Sequence, residues 1–142
     1  MGAFIRELKS GKVLAFRFTD AEIAEALSSL VKREGIDSGI ISFIGSFKRV
    51  KIGYYDEKLK KYIGIELRDG PYEIVSGLGN VSLKDGEPFC HIHVAVGLRD
   101  GRMFGGHLIE GEVLLAEGFI QVLEGEPLVR RPDPDTGLAY WG

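Results

Sequence analysis

Residues 89–108 read Phe-Cys-His-Ile-His-Val-Ala-Val-Gly-Leu-Arg-Asp-Gly-Arg-Met-Phe-Gly-Gly-His-Leu. Ile92, Val94 and Val96 alternate with His93 and Ala95, the period of two that marks a strand with one buried face. Arg99-Asp100-Gly101 is a chain reversal whose glycine can take a positive φ, and an extended pattern resumes at Met103, so this stretch predicts an antiparallel hairpin. The same pattern repeats on both sides of it. Strands are predicted over residues 39–47, 49–55, 62–67, 72–82, 89–98, 103–109 and 112–123, with turns at Asp69-Gly70-Pro71 and Lys84-Asp85-Gly86.

Upstream, residues 3–8 and 12–18 flank the turn-prone pair Ser10-Gly11 and predict a first hairpin. Thr19-Asp20-Ala21-Glu22 fits a capping box in which the Thr19 hydroxyl and the Glu22 carboxylate each accept from the other's amide. Ile23, Ala26, Leu27, Leu30 and Val31 then recur at helical spacing, and Gly35 is placed to end the helix, giving one principal helix over about residues 19–34. The expected fold is α/β of the α+β type: a curved antiparallel sheet of about seven strands with that helix packed on it. The chain has 142 residues, about one domain's worth. A single domain is expected over residues 1–125, with residues 126–142 as a tail. Pro132 and Pro134 keep that tail out of a central strand, so it is expected to pack on the surface or on a neighbouring subunit.

Eighteen Lys and Arg against 21 Asp and Glu leave a formal charge of −3, so no overall basic field draws in nucleic acid or an anionic membrane. No apolar run is long enough to span a bilayer, and residues 1–7 lack a signal-peptide pattern, so the expected location is the cytoplasm. The one cysteine, Cys90, cannot form an internal disulfide and reads as a small apolar packing residue.

All three histidines lie within residues 91–107. On a strand, His91 and His93 project from one face about 6.5–7 Å apart, close enough to converge on one metal ion. A two-residue loop at Asp100-Gly101 would set His107 opposite Val94, on the wrong face. A three-residue loop, with Gly101 in the left-handed position, pairs Leu98 with Arg102 and His93 with His107. It also sets Ala95 opposite Gly105, which leaves open space beside the patch. We favour this second register, which a bulge at Gly105-Gly106 would shift. Three imidazoles with an open fourth position suit zinc. Satisfied core or interface histidines are the competing explanation. A catalytic metal would want a carboxylate nearby, and Glu110, Glu112 and Glu117 are candidates with no spacing that selects one. The His-x-His pair also invites a cupin reading, but no glutamate follows at the required distance.

Other signals carry less. Gly77-Leu78-Gly79-Asn80 lacks a third glycine and leads into a strand, so a dinucleotide loop fails. Ser28, Ser29 and Ser82 have no nucleophile-elbow context. Lys48, Arg49, Lys51, Lys58, Lys60 and Lys61 interleave with Tyr54, Tyr55 and Tyr62. They could line a nucleic-acid face, although a lysine-protected sheet edge explains them better.

The blocks at residues 39–46 (Gly-Ile-Ile-Ser-Phe-Ile-Gly-Ser), 77–82, 88–93 and 100–108, in this order and spacing, resemble the plants-and-prokaryotes-conserved (PPC) domain family, PD1-like and AT-hook-associated, in its stand-alone prokaryotic form. The resemblance spans roughly residues 4–123. It implies an antiparallel sheet with one helix, a homotrimer, and a role as a DNA-binding or regulatory interaction module whose partners are its own copies and DNA or DNA-binding proteins. It also implies a metal site on His91, His93 and His107, where the imidazole set points to a divalent ion, zinc. The alternative is a zinc-dependent enzyme acting on a small molecule. Plant members carry an AT-hook, which has no Arg-Gly-Arg core here, and a Gly-Arg-Phe-Glu-Ile-Leu partner motif. The corresponding residues are Gly70, Pro71, Tyr72, Glu73, Ile74 and Val75, with proline replacing the arginine. Gly77, Gly79, Gly105 and Gly106 complete the structural motif that the resemblance marks.

Overall fold

The computed structural model describes residues 2–142; Met1, the first position of the expected domain span, lies outside the described residues. Eight strands and one helix follow in the order β1 (Lys9–Glu22), α1 (Ile23–Arg33), β2 (Gly39–Asp56), β3 (Lys61–Leu67), β4 (Tyr72–Lys84), β5 (Glu87–Gly97), β6 (Met103–Glu124), β7 (Val129–Pro132) and β8 (Ala139–Trp141). All pairings are antiparallel except β4 with β7. Strands β2, β4, β5 and β6 pair in a closed cycle. That closure removes most free edges from the centre of the sheet.

Two long strands make the cycle possible. The predicted runs 39–47 and 49–55 fuse into β2, because the break at Lys48 is a register shift within the ladder rather than a turn. The runs 103–109 and 112–123 likewise fuse into β6, with Glu110 and Gly111 inside the pairing. Bulges let each long strand bend and change neighbours along its length. The first half of β2 pairs with β4, and its second half pairs with β3.

The first hairpin does not form. Residues 2–8 have no regular structure, and Lys9 to Glu22 is one strand paired to β6. Ser10-Gly11 sits at a register shift, where a Cβ on Gly11 would come within 2.9 Å of the Val122 carbonyl oxygen. The glycine permits close backbone approach there, and this is why a turn-like pair lies inside a strand.

Helix α1 buries Ile23, Leu27, Leu30 and Val31 of the predicted apolar stripe against β5, β6 and β1, while Ala26, its fifth member, is half-buried. Its start differs from the capping-box expectation. Thr19 belongs to β1 opposite Leu115, and Glu22 is the cap, its carboxylate accepting from the amides of Ala24 (3.2 Å) and Glu25 (2.7 Å). The strand ladder holds Thr19 until Glu22 takes over the orphan amides. At the other end Ile36 N–H donates to the Val31 carbonyl (2.9 Å) and Gly35 N–H to the Lys32 carbonyl (3.2 Å), a Schellman closure with Gly35 at φ +64°.

The tail returns to the sheet of its own chain. Leu128 is buried, β7 adds to β4 at Leu83 and Lys84, and β8 adds to β7.

Candidate metal centre

The β5–β6 turn fixes where the histidines meet. Leu98 N–H donates to the Arg102 carbonyl (2.9 Å), Gly101 N–H to the Leu98 carbonyl (3.0 Å), and Gly101 takes φ +85°. This is the three-residue turn. Asp100 braces it by accepting from the Arg102 amide (3.0 Å) and Nε (2.7 Å), contacts that hold its carboxyl below the usual range. The register then places His93 opposite His107 and Ala95 opposite Gly105. Ile92, Val94 and Val96 are buried, so His91 and His93 project from the opposite face of β5.

His91 Nε2 and His93 Nε2 lie 3.2 Å apart, and one ligand atom from each of the three histidines falls within 4.8 Å of the other two. Two nitrogens bound tetrahedrally at about 2.0–2.1 Å from zinc would be about 3.3 Å apart. The His91–His93 pair therefore already stands at ligand spacing. His107 stacks on Tyr62, ring centroids 4.3 Å apart, and its Nδ1 is buried with no hydrogen-bond partner among the described residues. An orphaned buried polar atom is costly, and coordination is one way to relieve it.

Burial pushes His91 down to about 4, with the Arg130 charge and the other two histidines adding to the effect. His107 is lowered by burial and then by His93. Neutral imidazoles keep the lone pairs that a metal ion needs.

A cleft of about 720 Å³ opens beside the cluster, with Tyr62, Phe89, His91, His93, His107 and Arg130 in its wall. Arg130 comes from the tail. It donates to Ser82 Oγ (2.8 Å), Asn80 Oδ1 (2.9 Å) and the Ala139 carbonyl (3.0 Å), and its Nη2 is 3.4 Å from His91 Nδ1. Nothing in the sequence reading singled it out, because no periodicity links a tail arginine to a strand 39 positions earlier.

The carboxylate candidates stay apart from the histidines. Glu112 pairs with Arg49 (3.2 Å) and Lys48 (3.7 Å), Glu110 lies 3.9 Å from Arg49, and Glu117 pairs with Arg17 across β1–β6 in the strand register. None of them lines the cleft. Burial drives the Cys90 thiol up to about 12, which suits packing rather than attack.

The remaining marked residues sit on β4 and its approach, and on β6. Gly70 N–H donates to the Lys48 carbonyl (2.9 Å), the Tyr72 hydroxyl to the Arg68 carbonyl, and Glu73 is exposed opposite Gly97. Gly77 lies under the Phe43 ring, and Gly79 lies against the His91 carbonyl, where a Cβ would come within 2.2 Å. Gly106 lines the cleft, and Gly105 is exposed beside it. On the basic stretch, Lys48 is engaged by Asp20 and Glu112, and Arg49 by Glu112. No helix among the described residues is long and apolar enough to cross a membrane.

The family described as the Plants and Prokaryotes Conserved (PCC) domain matches residues 5–124. The fold is shared with a plant- and prokaryote-conserved protein of Pyrococcus horikoshii, at 45% identity and TM-score 0.93, covering 99% of this chain and 97% of that one. A metal-containing protein of Archaeoglobus fulgidus is 40% identical with TM-score 0.92, covering 98% and 99%. A candidate DNA-binding protein of Bacteroides thetaiotaomicron is 27% identical with TM-score 0.83, covering 95% and 96%. No curated protein sequence matches this chain significantly.

Proposed function

The chain belongs to the Plants and Prokaryotes Conserved (PCC) domain family, and from that premise we propose that it is a homotrimeric, cytoplasmic regulatory module that engages DNA or a DNA-bound protein. In this reading His91, His93 and His107 hold a divalent metal, zinc.

One row across the sheet carries the reading. His107 pairs with His93, His93 with Leu78, Leu78 with Ser42, and Ser42 with Phe119, so all five share a face. One end of the row is the histidine cluster. The other is apolar: Leu78 and Phe119 are 57% and 56% exposed, and Ile44 beside them 55%. Large apolar side chains grouped in the open mark a protein contact, and a second copy of the chain is the partner proposed. The histidine spacing and the metal-containing relative from Archaeoglobus support the metal. When bound, the metal supplies a Lewis-acidic centre with one position left open. The DNA part follows the relative from Bacteroides. With a net charge of −3, contact would fall on the exposed Lys58, Lys60 and Lys61 near Tyr54 and Tyr62, where none of the cations forms an ion pair among the described residues.

Sedimentation at micromolar protein tests the assembly: a mass of three chains is expected, falling to one in Phe119→Glu. A single-chain mass for the parent protein would sink the trimer. Gel shifts with duplex DNA across a salt series test the DNA role. No shift at any salt by about 10 μM protein would leave only a protein partner.

The cleft beside the histidines favours a second reading, a zinc-dependent enzyme acting on a small molecule. The absence of a carboxylate from its lining ranks this reading below the first. Turnover that appears only in the zinc-loaded protein and disappears in His91→Ala would reverse the ranking.

A further inference from the structure

The cleft is strongly one-sided in charge. The chain as a whole carries more acidic than basic residues, yet no aspartate or glutamate among the described residues lines the cleft, whereas Lys60, Lys61, Lys84 and Arg130 all do. None of these four enters an ion pair among the described residues. Arg130 is half-buried, and every acceptor it meets is neutral: a hydroxyl, an amide oxygen, a backbone carbonyl and an imidazole nitrogen. Its hydrogen bonds fix the guanidinium in place without cancelling its charge. Phe89 and Trp141 flank the guanidinium, each ring centroid 5.5 Å from it, and Lys84 Nζ stands 4.7 Å from the centre of the Phe89 ring.

A partly desolvated, immobilised cation with no counter-charge is a receptor waiting for an anion. Low-dielectric walls focus its field, and an incoming anion need not order it. We propose that this cleft is a binding pocket for a small organic anion, a carboxylate or phosphate on an apolar or aromatic body, with the anionic group held by Arg130 and Lys84 and the body lying against Phe89 and Tyr62. The volume, about 720 Å³, is that of a small-molecule site. A duplex phosphate backbone would meet the rim lysines Lys60 and Lys61 before it reached the half-buried guanidinium, so the pocket and a DNA contact are separable. The pocket shares a wall with the proposed metal centre, but its anion contacts do not depend on a metal.

Titration of phenyl phosphate, benzoate and neutral benzyl alcohol into the full chain, followed by amide and Arg130 Nε–H NMR shifts, tests this in both metal-free and zinc-loaded protein. At least one of the two anions is expected to saturate in about the millimolar range, with shifts around residues 53–62 and 106–107 and at Arg130. The alcohol is expected not to saturate. Which anion binds more tightly assigns the source as phosphate or carboxylate. Arg130→Gln should weaken binding by tenfold or more. If that substitution displaces the tail, Lys84→Gln leaves the Arg130 hydrogen bonds intact and should weaken binding two- to fivefold. Failure of both anions to saturate in either form, equal binding of the alcohol, or unchanged affinity in Arg130→Gln and Lys84→Gln would overturn the pocket. Zinc failing to bind while an anion still saturates would overturn the metal reading and leave the pocket standing.

Discussion

His93 stands directly opposite His107 across the β5–β6 hairpin, and the pairing exists because the turn between the strands holds three residues. With one residue fewer in the turn, His107 would face Val94, whose side chain is buried on the other side of the sheet. Gly101 at φ +85° is therefore a determinant of the histidine cluster, although it touches none of the three rings.

Native protein is expected to hold about one zinc per chain, since three imidazoles from one chain build one site. His91→Ala, His93→Ala and His107→Ala should each abolish stoichiometric binding, read by elemental mass spectrometry. Because the ion binds the folded chain, zinc at a hundred times its dissociation constant should stabilise by about 2.7 kcal/mol and raise Tm, and a chelator should reverse the shift. Full occupancy in His93→Ala would sink the assignment.

Metal-free protein should weaken on mild acidification. His91 sits near 4 in the fold against an ordinary value of 6.5, so between these values the unfolded chain binds the extra proton. Stability should then rise with pH from about 4 to 6.5 and level off on either side, since below that window both states carry the proton and above it neither does. His107 is shifted in the same direction. Asp100 and Asp133, both lowered from 3.8, lose their contributions only below that window. Urea midpoints of chelator-treated protein at pH 7.5, 6 and 5 check this. A flat profile, or the same slope in His91→Gln, would contradict it.

What was legible in the sequence was what neighbouring residues decide. The 99–101 turn follows from one glycine and its flanking alternation, and the helix stripe from Ile23, Leu27, Leu30 and Val31. What was not legible depends on distant partners. Thr19 looks like a cap until the strand opposite it, Leu115 and its neighbours, is seen to hold it. Ser10-Gly11 looks like a turn until Val122 is seen to lie against it. Arg130 reaches the histidines only because Leu128 anchors the tail and β7 pairs with β4, a contact that no local pattern encodes. The three histidines announced themselves by clustering, but their wall did not.

Gly79→Ala should damage fold and site together. The added methyl would stand 2.2 Å from the His91 carbonyl and 3.0 Å from Ile92 Cα, both backbone atoms that no rotamer change can move. Strand β5 must shift off β4 at the position that carries His91. A cost of about 2–4 kcal/mol is expected, in the range of overpacking with backbone displacement. Metal affinity should fall alongside it. Chemical denaturation and zinc titration of the variant check both, and a near-neutral substitution would show that β4 and β5 are less tightly paired than described.

Glu22 should matter more than Thr19, despite the capping-box pattern. The Glu22 carboxylate accepts from Ala24 and Glu25 at the head of the helix and from Gly111 N–H (2.8 Å) on β6, so one side chain both caps α1 and ties it to the sheet. Glu22→Ala removes the cap, worth about 1 kcal/mol, and leaves the Gly111 amide without its charged acceptor, which adds about 1–2 kcal/mol. Glu22→Gln keeps one oxygen and should fall between Ala and the parent. Thr19 is exposed on β1, and Thr19→Ala should stay within about 0.5 kcal/mol. Urea unfolding of the three variants ranks them. A cost for Thr19→Ala that equals or exceeds that of Glu22→Ala would restore Thr19 as the helix cap and with it the shorter β1 that the sequence pattern implies.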